Sequence, residues 1–338
     1  MSAPAPSPPL RIGTRGSQLA LAQARLIAEQ LGGAEIMPIL TAGDRGDAPV
    51  EDKSRWVTEL ERALGSGDVD LAVHSAKDVP GELAHGLVLL GAPARAAAED
   101  VLCGAAHLDR LPPGACVGTS SIRRLAQLRA AREDLDVVAI RGNVDTRLRR
   151  LAASSPASSP DGNGEGEGEG KPGERLDAIV LAHAGLQRLG RESDVGGVLE
   201  LERFVPAPGQ GVLALEGRAH DMRVREAVAA ITNAETFSCL LAERALAREL
   251  NASCHTPLGA HAVPAGDVRV AGRGPHAGDG RLHMRAWVGL PDGSAWVSDE
   301  LLGGLDEPEA LGRRVAERLL AAGAGELLEQ AEGMAASH

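Results

Sequence analysis

Arginine side chains are concentrated in one span of an acidic chain. The 338 residues carry a formal net charge of −12, yet residues 123–150 contain eight arginines and four acidic side chains. Two motifs there, "GTSSIRR" (118–124) and "RGNVDTR" (141–147), place guanidinium groups beside hydroxyl groups and predicted helix starts. In the second motif, Arg141 is expected to end a strand and Asn143 to cap a helix. Guanidinium forks and helix N-termini hold carboxylates well. We therefore predict a site for a small ligand with several carboxylates, although phosphate or a merely solvated basic helix face would also fit the composition.

A second set of polar residues ends a predicted strand. The residues "HSAKD" (74–78) follow the mostly apolar run 69–73. Ligands of α/β proteins lie beyond the carboxyl ends of the strands, so these side chains are placed for chemistry. Asp78, next to Lys77, is the candidate for proton transfer. The same spacing would suit an aspartate that only forms the turn before residues 79–80.

One cysteine lies where packing does not require it. In "ELNASCHTPLGA" (249–260), Cys254 falls on the polar turn after a predicted amphipathic helix, whereas Cys239 lies on the apolar face of that helix. A thiol outside the core indicates a reactive or modified group. An inert thiol is the commoner state of a lone cysteine, and the residue by itself leaves both interpretations open.

The elements that must position these groups occur twice. Residues 10–31 predict a strand, a Gly-Thr turn and a helix capped near Ser17, and residues 115–132 repeat this order with a hydroxyl cap. A further pair of buried strands, each entered through an aspartate, is predicted within 68–80 and 175–187. The repeat predicts two similar α/β domains whose Gly-Thr turns and strand ends face each other across a cleft.

The repeated strand, turn and helix pattern ends after residue 216. The residues that follow predict a small α+β domain at the C-terminus, with Cys254 near its start. Its predicted elements are a helix at 236–250, strands within 268–274 and 282–301, the latter with a Pro-Asp-Gly turn, and helices at 306–322 and 324–331. The predicted domains are residues 10–97 with 208–229, residues 98–207, and residues 230–332.

Composition argues against several classes of function. The chain has three Trp, two Phe and no Tyr, which argues against a platform that stacks bases, and its acidity argues against nucleic acid as a partner. The N-terminal "MSAPAPSPPL" does not resemble a signal peptide and no apolar run has the length of a membrane span, so we expect a cytoplasmic protein.

The four cysteines contain no CxxC pair, so no metal site is predicted. The Ser, Pro, Gly and Glu content of residues 154–175 predicts a disordered surface loop.

Eight segments, taken in order, resemble one family. They are "RIGTRGSQLAL", "TAGD", "AVHSAKDVP", "GTSSIRR", "RGNVDTRL", "AGLQRLG", "PGQG" and a cysteine followed by "xxPLG". Their order and spacing are similar to those of porphobilinogen deaminases, also called hydroxymethylbilane synthases, over about residues 10–330. Each motif alone is weak evidence, but the ordered set is specific.

The resemblance implies a fold and a reaction. It implies two α/β domains like the lobes of a periplasmic binding protein, and a third domain that carries the cysteine on a loop. The implied enzyme is a transferase that joins four porphobilinogen molecules head to tail, with loss of ammonia, into the linear tetrapyrrole hydroxymethylbilane, a step of haem biosynthesis. Its primer would be a dipyrromethane cofactor held by a thioether to Cys254, and its catalytic carboxylate would be Asp78. The family also implies a monomer whose small-molecule partner is porphobilinogen, with no metal.

The resemblance further implies which side chains bind the ligands. For the cofactor they are Arg15, Ser17, Asp44, Lys77, Thr119, Ser121, Arg123, Arg124 and Arg141. For the substrate they are Arg15, Ser75, Arg141, Arg147 and Arg188. The residues that match a mobile flap over the cleft are Lys53 and Arg55.

Two segments depart from the family pattern. Residues 52–60, "DKSRWVTEL", have Trp56 for Phe and Thr58 for a second Lys, which puts the flap contacts in question. Ala252-Ser253 stand where the family has Gly-Gly, so the loop before the cysteine is expected to differ in flexibility. Two alternatives stay open: a non-catalytic cytosolic binding protein for a small polycarboxylate anion, and a homologue that holds the primer but elongates it poorly.

Overall fold

The computed structural model describes residues 8–42, 57–154, 175–253, 256–267 and 280–336. Within these residues the chain forms three β-sheets, each packed with helices around a hydrophobic core. The predicted disordered loop 154–175 lies outside the described residues apart from its two end residues, as does the strand predicted at 268–274. The predicted α/β class with a smaller α+β domain is confirmed.

The first sheet joins N-terminal strands to a strand from much later in the chain. Its described strands are β1 (Arg11–Arg15), β2 (Glu35–Ile39), β3 (Leu71–Ser75), β4 (Leu87–Gly91) and β10 (Leu213–Arg218), in the order β2–β1–β3–β10–β4. β1 is parallel to β2 and β3, whereas β10 is antiparallel to β3 and β4. The helices packed on this sheet are α1 (Gln18–Gln30), α2 (Thr58–Ser66) and α6 (Met222–Ile231).

The second sheet repeats the plan of the first. Its described strands are β5 (Asp100–Cys103), β6 (Cys116–Gly118), β7 (Asp136–Val138), β8 (Ala178–Ala182) and β9 (Gly197–Val198), in the order β7–β6–β8–β5–β9. As in the first sheet, the first two pairs of neighbours are parallel and the last two are antiparallel. The helices that follow β6, β7 and β8 are α3 (Ile122–Ala131), α4 (Val144–Ala153) and α5 (His183–Arg188). The predicted internal repeat is therefore confirmed, and we refer to these two α/β units as the first and second lobes.

Side-chain caps begin the helices that position the site. Ser17 accepts a hydrogen bond from Ala20 N–H at the start of α1, and Ser121 accepts one from Arg124 N–H at the start of α3. Asn143 caps α4 in the same way. These oxygens pair with N–H groups that the first helical turn leaves unsatisfied, and all three caps agree with the sequence-based prediction.

The third sheet is antiparallel and belongs to the C-terminal domain. Its described strands are β11 (Leu258–Pro264), β12 (Arg281–Gly289) and β13 (Trp296–Gly304), in that order. The helices of this domain that contact it are α7 (Ala234–Glu249), α8 (Pro308–Ala321) and α9 (Ala324–Ala336). The turn between β12 and β13 contains Pro-Asp-Gly, as predicted, but β11 has no counterpart in the prediction. Its sequence, "LGAHAVP", has mostly small apolar residues, so its alternation is weak.

A buried ion pair ties the C-terminal domain to both crossovers between the lobes. Glu243 of α7 is fully buried, and its Oε1 lies 2.6 Å from Arg95 Nη1, in the outgoing crossover between β4 and β5. Glu243 also accepts a hydrogen bond of 2.6 Å from the N–H of Gly209, in the returning crossover between β9 and β10. A third one, of 2.8 Å, comes from Ala262 N–H of β11. Because a buried carboxylate is tolerated only when its oxygens are paired, the three domains meet at one defined point.

The described part of the chain contains neither a membrane-length helix nor a cluster of metal-ligand type. None of its helices is both long and apolar enough to span a bilayer. Among the same residues, no three His, Cys, Asp or Glu side chains are grouped so that they could hold a metal ion.

Candidate active site

A cavity of about 360 Å³, here called the main cavity, opens where the two lobes meet the C-terminal domain. Its polar lining residues are Lys77, Asp78, Ser120, Ser121, Arg123, Arg124, Arg147, Arg244, Ser253 and Thr256. Five of these side chains are cationic and one is anionic. The wall therefore suits a ligand that carries several negative charges.

A smaller cavity of about 50 Å³, the side cavity, lies in the first lobe. Its lining includes Arg15 at the end of β1, Ser17 at the start of α1 and Ser75 at the end of β3. Asp78 lines both the side cavity and the main cavity. Among the predicted site residues that the structure describes, Asp78 alone has this position.

A tight turn carries Asp78 to the cavities. A single 3₁₀ turn, Ala76–Asp78, follows β3, and Val79 N–H donates a hydrogen bond to Ala76 O. Gly209 of the returning crossover packs on this turn, and a Cβ at Gly209 would lie only 2.9 Å from Ala76 Cβ. Gly209 also has a φ of +77°, which side chains disfavour. The "PGQG" segment therefore needs glycine at this position to let the crossover lie against the turn.

A side chain from the C-terminal domain holds the segment that follows Asp78. Arg244 of α7 donates hydrogen bonds to Pro80 O at 2.7 Å and to Gly81 O at 3.1 Å. Burial lowers the pKa of Arg244 to about 10, so its guanidinium group remains charged at neutral pH. Arg244 is thus both a cation of the main cavity and a support for the turn that carries Asp78.

Lys77 lies among cations at the edge of the main cavity. Burial, followed by the charge of Arg124, lowers the pKa of Lys77 to about 8, while Asp78 and Asp100 oppose this shift. Lys77 Nζ donates a long hydrogen bond of 3.4 Å to Gln210 Oε1. The amine is therefore mostly protonated at pH 7, yet it loses its proton at a lower pH than an exposed lysine does.

Arg123 and Arg124 share one buried carboxylate. Arg123 Nη2 donates to Asp100 Oδ2 at 2.8 Å, and Arg124 Nη2 donates to Asp100 Oδ1 at 2.7 Å. Further hydrogen bonds join Arg123 Nη1 to Val205 O at 2.9 Å and Arg124 Nη1 to Val180 O at 3.0 Å. Burial acts to raise the pKa of Asp100, but the charges of the two arginines outweigh it and hold this pKa far below its usual range.

This cluster leaves positive charge and a free donor beside the main cavity. Two guanidinium groups face a single carboxylate, so one positive charge is uncompensated within the cluster. Arg123 Nε is buried and has no hydrogen-bond partner among the described residues. A buried donor without a partner is costly, so a ligand or water that accepts from it is favoured.

Arg147 adds another guanidinium group to the main cavity. Its Nε donates a hydrogen bond of 2.8 Å to Gly142 O, just before α4. Burial, with a contribution from the charge of Arg124, lowers the pKa of Arg147 to about 10. An anion bound in the cavity would relieve the repulsion that these neighbouring cations exert on each other.

Two further residues of the predicted set, the buried Thr119 and the half-buried Arg188, line neither cavity. The Thr119 hydroxyl accepts a hydrogen bond from Ser121 N–H at 3.2 Å. Arg188 Nη2 donates to Gly211 O in the returning crossover at 2.6 Å, and burial lowers the pKa of Arg188 to about 10. In this structure both side chains contact neighbouring backbone, and their roles toward a ligand stay predictions.

Arg141 also lies outside both cavities and is exposed. The prediction that it ends a strand is wrong, because β7 ends at Val138. Pairing with β6 stops there, and Gly142 with a φ of +105° then turns the chain toward α4.

Four predicted residues lie outside the described part of the chain: Asp44, Lys53, Arg55 and Cys254. The nearest described neighbours of Cys254 are Ser253 and Thr256, and both line the main cavity. Of the described residues before the cysteine, Asn251 has the positive φ, +47°, whereas Ala252 and Ser253 do not. The two substitutions for the family's glycines therefore require no disfavoured backbone angle at these positions.

Four charged or amide residues that shape the site are absent from the sequence-based prediction: Asp100, Gln210, Glu243 and Arg244. The sequence does contain a signal for Glu243 and Arg244: these two charged residues lie on the inward face of α7, between buried residues such as Cys239 and Leu246. Gln210 lies within "PGQG", but that motif does not indicate which groups the amide reaches. Asp100 has no local signal, because its partners are distant in sequence.

The fold and the site together define a class of protein. Two lobes of one repeated plan and a C-terminal domain enclose a cationic cavity, and a carboxylate on a turn faces it. Such a protein can bind a small ligand with several carboxylates and move protons on it.

Comparison with known proteins gives the family. Residues 10–226 match the family model of the porphobilinogen deaminase dipyrromethane cofactor binding domain, and residues 237–321 match that of the porphobilinogen deaminase C-terminal domain. The porphobilinogen deaminase of Xanthomonas axonopodis pv. citri is 41% identical over 334 residues, covering 95% of this chain and 99% of that protein. That of Pelobacter propionicus is 40% identical over 332 residues, covering 95% and 96%. This chain belongs to the porphobilinogen deaminase family.

Solved structures with low similarity include a periplasmic domain and a periplasmic solute binding protein. The periplasmic VFT2 domain of Bordetella pertussis BvgS aligns with a TM-score of 0.35 at 15% identity, over 66% of this chain and 86% of that one. A TRAP periplasmic solute binding protein from Ralstonia eutropha aligns with a TM-score of 0.33 at 12% identity, over 71% and 79%.

Proposed function

We propose that this chain is a working hydroxymethylbilane synthase. It would join four porphobilinogen molecules head to tail, release one ammonia for each, and yield the linear tetrapyrrole hydroxymethylbilane. The observation that carries the proposal is the position of Asp78, a carboxylate that lines both cavities and faces the five cations of the main cavity. Membership of the porphobilinogen deaminase family supports the same reaction.

The main cavity fits a dipyrromethane primer. Each of the two linked pyrroles carries an acetate and a propionate, so four carboxylates need donors. The groups that would hold them are Lys77, Ser121, Arg123 and Arg124, and Arg147, a substrate residue in the family pattern, lies in the same wall. The unpaired Arg123 Nε is a donor of the kind that such a ligand would satisfy. Ser253 and Thr256, in the cavity wall, support a thioether from Cys254 into the same space.

Asp78 would carry the proton transfers. When bound, the dipyrromethane supplies the nucleophilic α-carbon of its terminal pyrrole. The Asp78 carboxylate would stabilise the positive charge that develops on pyrrole nitrogen as ammonia leaves the substrate. It would then take the proton that is released once the new carbon–carbon bond has formed.

The side cavity, at about 50 Å³, is too small for a whole porphobilinogen, and its residues would bind one end of the incoming substrate. Arg15 and Ser75 would bind its carboxylates and hold its reacting carbon near Asp78, while Arg15 and Ser17 keep the cofactor role that the family pattern implies. The remaining family positions keep the roles that the family pattern implies, with no further support from geometry. They are Asp44 and Thr119 for the cofactor, Arg141 and Arg188 for ligand carboxylates, and Lys53 and Arg55 for a flap.

We extend the proposal to the protein as a whole. The proposed domains are residues 10–97 with 208–229, residues 98–207, and residues 230–332, which puts a domain boundary in each crossover. The net charge of −12 supports a protein that does not bind nucleic acid. We propose a cytoplasmic monomer.

Incubation of the purified protein with porphobilinogen tests the proposed function. We expect repeated turnover, with four molecules of ammonia released for each linear tetrapyrrole. Ammonia is measured by a coupled assay, and the tetrapyrrole is measured as porphyrin after ring closure and oxidation.

The alternatives give different results in the same assay. A binding protein would take up a polycarboxylate without releasing ammonia. A homologue that elongates poorly would release fewer than four molecules of ammonia per protein and then stop. Either outcome would contradict the proposal of a working synthase.

A further inference from the structure

One buried amide connects the two lobes beside the turn that carries Asp78. Gln210, in the returning crossover, is fully buried. Its Nε2 donates hydrogen bonds to Ala98 O at 2.7 Å and to Asp100 Oδ1 at 2.8 Å, at the entry to the second lobe. Its Oε1 accepts from Lys77 Nζ of the first lobe at 3.4 Å. A single side chain therefore contacts charged groups of both lobes.

The partners determine which end of the amide faces Lys77. The amide nitrogen of glutamine only donates, and its oxygen only accepts. Ala98 O and Asp100 Oδ1 only accept, so the nitrogen must face them and the oxygen is left for the ammonium group. The opposite orientation would place Gln210 Oε1 against the oxygens of Ala98 and Asp100, and it would turn Gln210 Nε2 toward the ammonium group of Lys77. The backbone is held as well, because Gln210 O accepts from Arg95 Nε at 2.9 Å.

The charged groups around Lys77 act in opposite directions. Burial and the charges of Arg124 and Arg123, both from α3, disfavour its ammonium form. Asp78 on the same turn and Asp100 in β5 favour that form. Within the described residues, Gln210 Oε1 is the hydrogen-bond acceptor of Lys77. A neutral acceptor at this point stabilises the ammonium without removing a charge from the cavity.

We propose that Gln210 is a positioning residue that holds the ammonium group of Lys77 at the main cavity and links it to Asp100 across the boundary between the lobes. The role of Gln210 in catalysis rests on the proposed function, because Lys77 is a proposed ligand of cofactor carboxylates. A neutral Lys77 amine would no longer bind these carboxylates as a cation. The contact itself exists whether or not the protein turns over porphobilinogen.

Chemical labelling of Lys77 tests the inference without turnover. Reductive methylation modifies only neutral amines, so its pH dependence at Lys77 reports the pKa of that amine. The rate is read by mass spectrometry of the Lys77 peptide and normalised to Lys171 in the same sample. Gln210→Met removes the acceptor at similar size, and we expect labelling of Lys77 at pH 7 to rise about threefold or more. Gln210→Asn shortens the amide by one methylene, so its oxygen lies out of hydrogen-bond reach of Lys77, and labelling should rise in this variant too.

Gln187→Met is the matched control. Gln187 Oε1 accepts a hydrogen bond of 3.3 Å from Ala97 N–H in the outgoing crossover and makes none to Lys77. This variant also removes an amide that contacts a crossover, and its Lys77 labelling should equal that of the wild type. An unchanged labelling rate in folded Gln210→Met would overturn the inference. If Gln210→Met does not fold, Gln210→Asn decides, and an unchanged rate in that variant would overturn it.

Turnover provides a second readout that a general loss of structure would not reproduce. Because Lys77 becomes neutral at lower pH in Gln210→Met, the alkaline limb of its pH–rate profile should move to lower pH, in parallel with the labelling curve. A wild-type protein without turnover, but with the expected labelling shifts in its variants, would contradict the proposed function and support the inference. Normal turnover with unchanged labelling in both Gln210 variants would contradict the inference alone.

Discussion

Asp78→Asn lowers the turnover of porphobilinogen by about 10²–10⁴-fold and leaves the fold intact. Asparagine has the size of aspartate, but it can neither accept a proton nor carry the negative charge that a developing pyrrole cation needs. Asp78 is only partly buried and lines both cavities, so the substitution removes no core packing. The loss should therefore appear in kcat, with little change in the stability of the protein.

Initial rates of ammonia release measure this effect at equal protein concentrations. Asp109→Asn is the matched control, because the Asp109 side chain is 65% exposed on the second lobe and undergoes the same chemical change. It should keep the wild-type rate, and thermal unfolding of both variants should match the wild type. Normal turnover by folded Asp78→Asn would remove Asp78 from the proposed mechanism.

Asp100→Asn lowers the free energy of unfolding by about 3–5 kcal/mol. The change leaves the guanidinium groups of Arg123 and Arg124 buried without their counter-charge. It also replaces one carboxylate oxygen with an amide donor in a cluster where Gln210 and both arginines already donate to this residue. An uncompensated buried charge is among the most destabilising changes that a single substitution can make.

Urea unfolding of the wild type and the variant measures this loss. Asp134→Asn is the control, because Asp134 pairs with Arg132 at the protein surface, at 2.6 Å, where ion pairs contribute little to stability. A loss in Asp100→Asn as small as that of the control would mean that the buried cluster does not need its carboxylate.

The same cluster predicts how stability changes with pH. Although burial acts to raise the pKa of Asp100, the charges of Arg123 and Arg124 hold it below its value in the unfolded chain. The unfolded state therefore takes up the proton first as the pH falls. This contribution to stability is present above about pH 4 and is lost progressively below it. The difference in unfolding free energy between the wild type and Asp100→Asn should accordingly shrink as the medium is acidified.

Much of the fold could be predicted because it depends on short, local signals. The two strand, turn and helix units are marked by apolar periodicity and by the caps at Ser17, Ser121 and Asn143. The buried position of Cys239 could also be predicted, since this residue falls on the periodic apolar face of α7. Residues within a few positions of each other determine these features, so the sequence alone is sufficient to predict them.

The contacts that shape the site are not local. Asp100 meets Arg124 across 24 residues and Gln210 across 110, and Gln210 meets Lys77 across 133. No neighbouring residue in the sequence marks such a partner, because the choice depends on how three domains pack. For the same reason, the sequence predicts that Arg123 and Arg124 lie at the site but not that they share Asp100.

The intact mass of the denatured protein tests the central claim most directly. The purified chain is weighed before and after incubation with porphobilinogen, alongside a Cys254→Ser variant treated in the same way. We predict that the wild-type chain carries an excess mass of two linked pyrrole units and that the variant does not, because a thioether survives denaturation. A bare polypeptide mass that persists after incubation would contradict a covalent primer on Cys254 and would favour the binding-protein alternative.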